Sequence, residues 1–163
     1  PEKVEGGNGA VSNFGPLEVT NSTFEANEAP AGSALYHHFL AVGTLDNTIF
    51  SQNVSSFNAG AIYNEGTLTL KNGSSVTGNS AVNSGGGIFN EFGQVTLAEG
   101  VSVTANTADA NSDSSGTGGG VYTVGGFADI AQGAVANNTP NDVIVEAPPI
   151  SRRSRLSGIS HRP

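Results

Sequence analysis

Two carboxylates, Glu65 and Glu91, stand 26 residues apart, and each closes a nearly identical phrase, GAIYNE and GGIFNE. A pair of acids converging on one bond is the equipment of glycoside hydrolysis, in which one protonates the leaving oxygen and the other attacks or activates water. Sugar-lyase chemistry needs instead a basic side chain to abstract a proton and cations to neutralise a carboxylate. The bases of the body are Lys3, in the unrepeated start, and Lys71, in a turn with no acid cluster beside it in sequence. Asp46, Glu99 and Asp129 are scattered among different turns. Asp109 and Asp113 lie in TADANSDSSGTG, which lacks the DxDxDG spacing and offers two carboxylates where calcium takes six to eight oxygens. Adjacent residues of a strand face opposite ways, so His37 and His38 cannot share one metal ion. The sequence therefore supports no catalytic residue, no metal site and no cofactor, and the chain reads as non-enzymatic.

Composition sets the frame for these residues. With 163 residues the chain is long enough for one domain with a substantial core. Its 23 glycines and 12% charged residues depart from an ordinary enzyme, yet 36% apolar content is enough to fold. All fourteen acids fall within residues 1–146 beside two lysines, whereas residues 147–163 carry four arginines and no acid. An acidic body of this kind argues against nucleic acid and anionic membrane surfaces, which require clustered Lys or Arg. There is no cysteine for a disulfide or a thiolate site, and no apolar run long enough for a membrane span.

The elements that must position the side chains come from an internal repeat. The opening phrase recurs as GAVSN at Gly9, SALYH at Ser33, GAIYN at Gly60, GGIFN at Gly86 and GGVYT at Gly119. Each copy is followed by an alternating strand and then by an apolar residue with Asn three positions later. Those asparagines, Asn27, Asn53, Asn79, Asn106 and Asn138, are spaced by 26, 26, 27 and 32 residues. Short period-2 segments punctuated by Gly and Asn, with no helical stripe, make the chain all-β. The expected fold is a single-stranded right-handed parallel β-helix of about five rungs over residues 1–146, with a loop protruding near 107–118. Residues 147–163 read as a disordered Pro/Ser/Arg tail.

In such a coil, equivalent residues stack from rung to rung, about 4.8 Å apart. The inward columns should be Val11, Leu35, Ile62, Ile88 and Val121; then Val19, Leu45, Leu70, Leu97 and Ile130; then Phe24, Phe50, Val76, Val103 and Val135. The repeated asparagines should form a structural ladder, adopting left-handed turn geometry and bonding to one another. Tyr36, Tyr63, Phe89 and Tyr122 follow the inward aliphatics, so alternation turns them outward as an exposed stripe that could bind a ligand or stack upon itself.

The alternation of a GGA-like phrase plus Ile, Leu or Val (NGAV, GSAL, AGAI, GGGI, GGGV) with FEAN and FSQN resembles the repeats of polymorphic outer-membrane-protein autotransporter passengers. More broadly, the chain is similar to right-handed parallel β-helix repeat proteins of the pectin-lyase-like superfold, over approximately Gly6 to Val145. That resemblance implies a secreted or surface-displayed, adhesin- or stalk-like domain at the cell surface, flanked in a longer parent by further repeats or caps. It implies a glycan or cell-surface protein as partner, with a polysaccharide lyase or hydrolase fragment as the alternative.

Overall fold

The computed structural model describes residues 9–146, so Lys3 and the tail expected over 147–163 lie outside the described residues. Among those described there is no helix, and every strand pairing is parallel. The chain winds as a parallel β-helix of about five turns. One sheet stacks Val11–Asn13, Leu35–His37, Ile62–Asn64, Ile88–Glu91, Val121–Val124 and Val143–Glu146. A second stacks Pro16–Thr20, Val42–Asp46, Thr67–Lys71, Gln94–Leu97 and Phe127–Ile130, and a third stacks Thr23–Glu25, Ile49–Ser51, Ser75–Thr77, Ser102–Thr104 and Val135–Ala136.

Register follows the repeat residue for residue. Val11 pairs with Leu35, Leu35 with Ile62, Ile62 with Ile88 and Ile88 with Val121. The Val19 and Phe24 columns run as the alternation requires, with Phe24 and Phe50 stacked at 4.9 Å between ring centroids. Leu35, Leu45, Phe50, Ile62, Leu70, Val76 and Ile88 are completely buried in one core. Each such side chain stabilises the coil by roughly 1.5 to 3 kcal/mol, and only because a neighbouring rung covers it.

Two features differ from the three-strand unit read in the sequence. A fourth sheet of Glu28–Ala31, Val54–Asn58 and Ser80–Ala81 closes the early turns; Ser and Asn in these strands hide the alternation. A second inward column, Leu17, Gly43, Leu68, Val95 and Ala128, runs beside the first in the second sheet. The small residues before the aliphatics mark a tight corner, where a Cβ on Gly87 would come within 2.7 Å of the Gly120 carbonyl.

The asparagine ladder exists, with one correction to its geometry. Nδ2 and backbone N–H of Asn53 both donate to Asn79 Oδ1 (2.9 Å each), and Asn79 repeats the pair toward Asn106 (2.9 and 3.0 Å). Asn27 and Asn106 do the same toward Asn53 and Asn138. The second amide hydrogen reaches down to a carbonyl below, that of Phe24 from Asn53 and that of Phe50 from Asn79. The left-handed backbone belongs to the residue before each ladder member, namely Ala26, Gln52, Gly78, Ala105 and Asn137, whose φ lies between 54° and 64°. At the last rung, Asp142 Oδ1 accepts from Asn138 N–H (2.8 Å) and Nδ2 (3.0 Å), so a carboxylate stands in for the next amide oxygen and terminates the ladder. Within the segment expected as a loop, residues 111–115 are exposed, and Asp109 accepts from the backbone of Asp113 and Ser114.

Candidate functional site

The aromatic column comes out differently from its sequence reading. Tyr36, Tyr63, Phe89 and Tyr122 do lie on the side of the first sheet away from the core, stacked at 4.6, 5.1 and 5.0 Å between centroids. Yet Tyr63, Phe89 and Tyr122 retain only 9, 6 and 9% of their surface, and Tyr36 is half-buried. Each ring covers the faces of its neighbours, with Ala31, Ala59, Val124 and Ile144 alongside. The hydroxyls follow the same logic. The Tyr63 hydroxyl donates to Glu91, while Tyr36 and Tyr122 face Glu65 and Glu146, each carboxylate coming from the next rung. Phe89 has no hydroxyl, and the corresponding position above it is Val124. Burial, and then the adjacent Glu65 and Glu146, push the Tyr36 and Tyr122 hydroxyls up to about 12, and burial with Glu91 raises Tyr63 further. This column is a self-covered stack rather than an open platform, and Glu91 is held by Tyr63 rather than aimed at Glu65.

The two histidines separate as strand alternation demands. His37 is fully buried, in line with Asn13, Asn64, Asn90 and Thr123, an interior polar column not recognised in the sequence. Asn64 donates to Asn90 Oδ1 at 2.6 Å and to the Gly66 carbonyl. At His37, Asn13 Nδ2 donates to Nδ1 (3.0 Å) and Nε2–H donates to the Thr67 carbonyl (3.3 Å). The ring is larger than an amide, and Gly43 makes the room: a Cβ there would sit 2.8 Å from His37 Cε1. Leu or Val occupies that position in the first, third and fourth rungs.

Burial lowers the His37 pKa, with its backbone hydrogen bonds opposing and the nearby His38 assisting. The unfolded chain titrates its imidazole near 6.5, so below that pH the unfolded state binds the proton that the folded state refuses. Folding stability is therefore complete above about pH 6.5 and declines as the pH falls beneath it. His37→Asn, which restores the amide of the neighbouring rungs, should flatten the fall in urea midpoint between pH 7 and 5 relative to the parent chain. An unchanged slope would contradict the assignment.

Exposed apolar surface gathers instead at the corner between the first and second sheets, where the turns differ in length. Between positions that pair across rungs, the second turn spends four residues (38–41), the third two (65–66), and the fourth three (91–93). The short third turn leaves a notch at Gly66. Phe39, Leu40 and Val42 stand on one side and Phe92 and Phe127 on the other, all 60 to 79% exposed. Glu65, Thr67 and Gln94 supply polar groups to this open groove of about 570 Å³. Leu40 (φ 67°) and Phe92 (φ 55°) hold left-handed conformations that bulky residues avoid at a cost of about 1 to 2 kcal/mol. Neither side chain recovers that cost by burial.

Among the described residues no three His, Cys, Asp or Glu side chains cluster in a metal-binding arrangement, and no helix is long and apolar enough to cross a membrane. Lys71 ends its strand with Nζ 3.4 Å from Asp46, an exposed pair across neighbouring rungs. Compared with protein-family models, with curated proteins and with solved structures, the chain matches none.

Proposed function

We propose that this right-handed β-helix is a secreted or surface-displayed, adhesin- or stalk-like domain that binds a glycan along its first corner, in the manner the autotransporter-passenger resemblance implies. The observation that carries this reading is the groove at Gly66, where exposed Phe39, Phe92 and Phe127 flank the hydroxyl of Thr67, the amide of Gln94 and the carboxylate of Glu65. Flat apolar rings alternating with hydrogen-bonding groups match a pyranose, which offers C–H faces and hydroxyl edges together. From the second rung to the fifth the corner spans three steps of about 4.8 Å, room for a short oligosaccharide. A rigid coil whose turn lengths vary freely is suited to presenting such a groove. The hydrolase alternative would need Glu65 and Glu91 as a working pair, and the Tyr63 hydroxyl bond to Glu91 speaks for a structural role of that carboxylate.

Phe92→Gly tests the reading with two opposite readouts. Glycine relieves the left-handed strain, so thermal stability should hold or rise by up to about 1 kcal/mol. Retention on a glycan array should at the same time fall at least tenfold. Loss of stability with binding intact would reverse the roles assigned here, and retention of a protein partner but no glycan would identify the other ligand class.

A further inference from the structure

Ser12, His38 and Glu65 come from three successive turns and meet beside the same corner. Ser12 Oγ lies 2.8 Å from His38 Nε2, and Glu65 Oε2 lies 3.9 Å from His38 Nδ1. The imidazole is held in place by Phe14, stacked on it at 3.7 Å, and by Tyr36 at 4.4 Å. The Tyr36 ring that packs on His38 also sets its hydroxyl toward Glu65. Ser12 is exposed, while His38 and Glu65 keep 20 and 28% of their side-chain surface open.

The geometry points to a nucleophilic serine relay: Ser12 as nucleophile, His38 as general base, and Glu65 as a positioning residue for His38. Nucleophile and base within hydrogen-bond reach, with a third group orienting the base, is the arrangement that activates a serine hydroxyl, whatever the fold or the order along the chain. The Glu65 contact is longer than a hydrogen bond, as such contacts often are before substrate binds. Val11 N–H donates to the Ala34 carbonyl and His38 N–H to the Asn13 carbonyl, which fixes the strand that carries Ser12 against the turn that carries His38.

The substrate class is an uncharged carboxylic ester with a small apolar acyl group, since exposed Phe14 lies against His38 and the Glu65 carboxylate beside the imidazole disfavours an anionic ester. Ser12 Oγ bonds to the ester carbonyl carbon as its proton passes to His38 Nε2. The C–O bond to the alcohol then breaks, and His38 returns the proton to the departing alcohol oxygen. Water, deprotonated by His38, attacks the acyl-serine, releasing the carboxylic acid and regenerating Ser12. This activity goes beyond the glycan-binding role and does not rest on it.

The test uses the purified chain with p-nitrophenyl butyrate and, separately, a fluorophosphonate probe located by peptide mass spectrometry. The expected result is probe attached to Ser12 and ester hydrolysis that falls about 100-fold or more in Ser12→Ala and in His38→Ala, with circular dichroism unchanged. Glu65→Gln should slow probe attachment at an unaltered thermal midpoint, with Glu65→Asp recovering part of the rate. Failure of the probe to label Ser12, labelling that survives His38→Ala, or hydrolysis undiminished in Ser12→Ala overturns the proposal.

Discussion

Ile62→Asp is expected to leave no cooperatively folded protein, whereas Thr69→Lys, seven residues away, should shift the urea midpoint hardly at all. Ile62 is completely buried between Leu35 and Ile88. Replacing it forfeits roughly 1.5 to 3 kcal/mol of apolar burial and places a carboxylate where no cation or donor can compensate it, a further penalty of several kcal/mol. The sum approaches the entire stability of an ordinary domain, about 5 to 15 kcal/mol. Thr69 lies on the outer side of the second sheet between Thr44 and Thr96, where a lysine can extend into water. Circular dichroism and urea titration of both variants check the pair. Comparable losses at the two positions would contradict the inward and outward assignment.

Asn79→Ala should destabilise by roughly 3 to 5 kcal/mol, far beyond an ordinary surface Asn substitution. Asn79 is 1% exposed. Its Oδ1 receives two hydrogens from Asn53, and its Nδ2 serves Asn106 Oδ1 and the Phe50 carbonyl. The truncation strands two donors and leaves two acceptors short, all in the interior, at about 1 to 3 kcal/mol for each group left unsatisfied. Asn27→Ala should cost less, because its rung lies at the end of the described coil and the residue is only half-buried. Chemical denaturation of the two variants measures the difference, and equal losses would show that the ladder does not act through burial.

Much of this fold was legible because stacking forces equivalent positions to carry like residues. The Val11, Val19 and Phe24 columns and the Asn27 ladder could each be aligned by eye, and the pairing register agrees with that alignment. What escaped was whatever depends on the neighbouring rung rather than on the residue itself. Alternation turns Tyr63 outward, but only the rings of Tyr36 and Phe89 above and below it reveal that outward is not exposed. The Tyr-to-Glu pairing, with Val124 rather than an acid in line with Glu91 beyond Phe89, was a readable signal of that stack. Gly43 breaks an aliphatic column, and its reason lies in the His37 ring rather than in its own strand. The groove escaped for a similar reason. Phe39, Leu40 and Phe92 sit in turns of unequal length, and a search for recurrence discards the inserted residues as noise.

In-register stacking of rungs underlies the columns, the groove and the Ser12–His38 contact alike, and the absence of cysteine from the chain makes it directly measurable. Thr69→Cys with Thr96→Cys places two thiols on paired residues of adjacent rungs, whose Cα atoms stand about 4.8 Å apart, inside the range a disulfide spans. Thr69→Cys with Thr104→Cys places them on different sheets. Under mild oxidation, mass spectrometry should find near-complete intramolecular crosslinking in the first double variant and little in the second. Equal crosslinking in the two, or none in the first, would contradict the stacked coil.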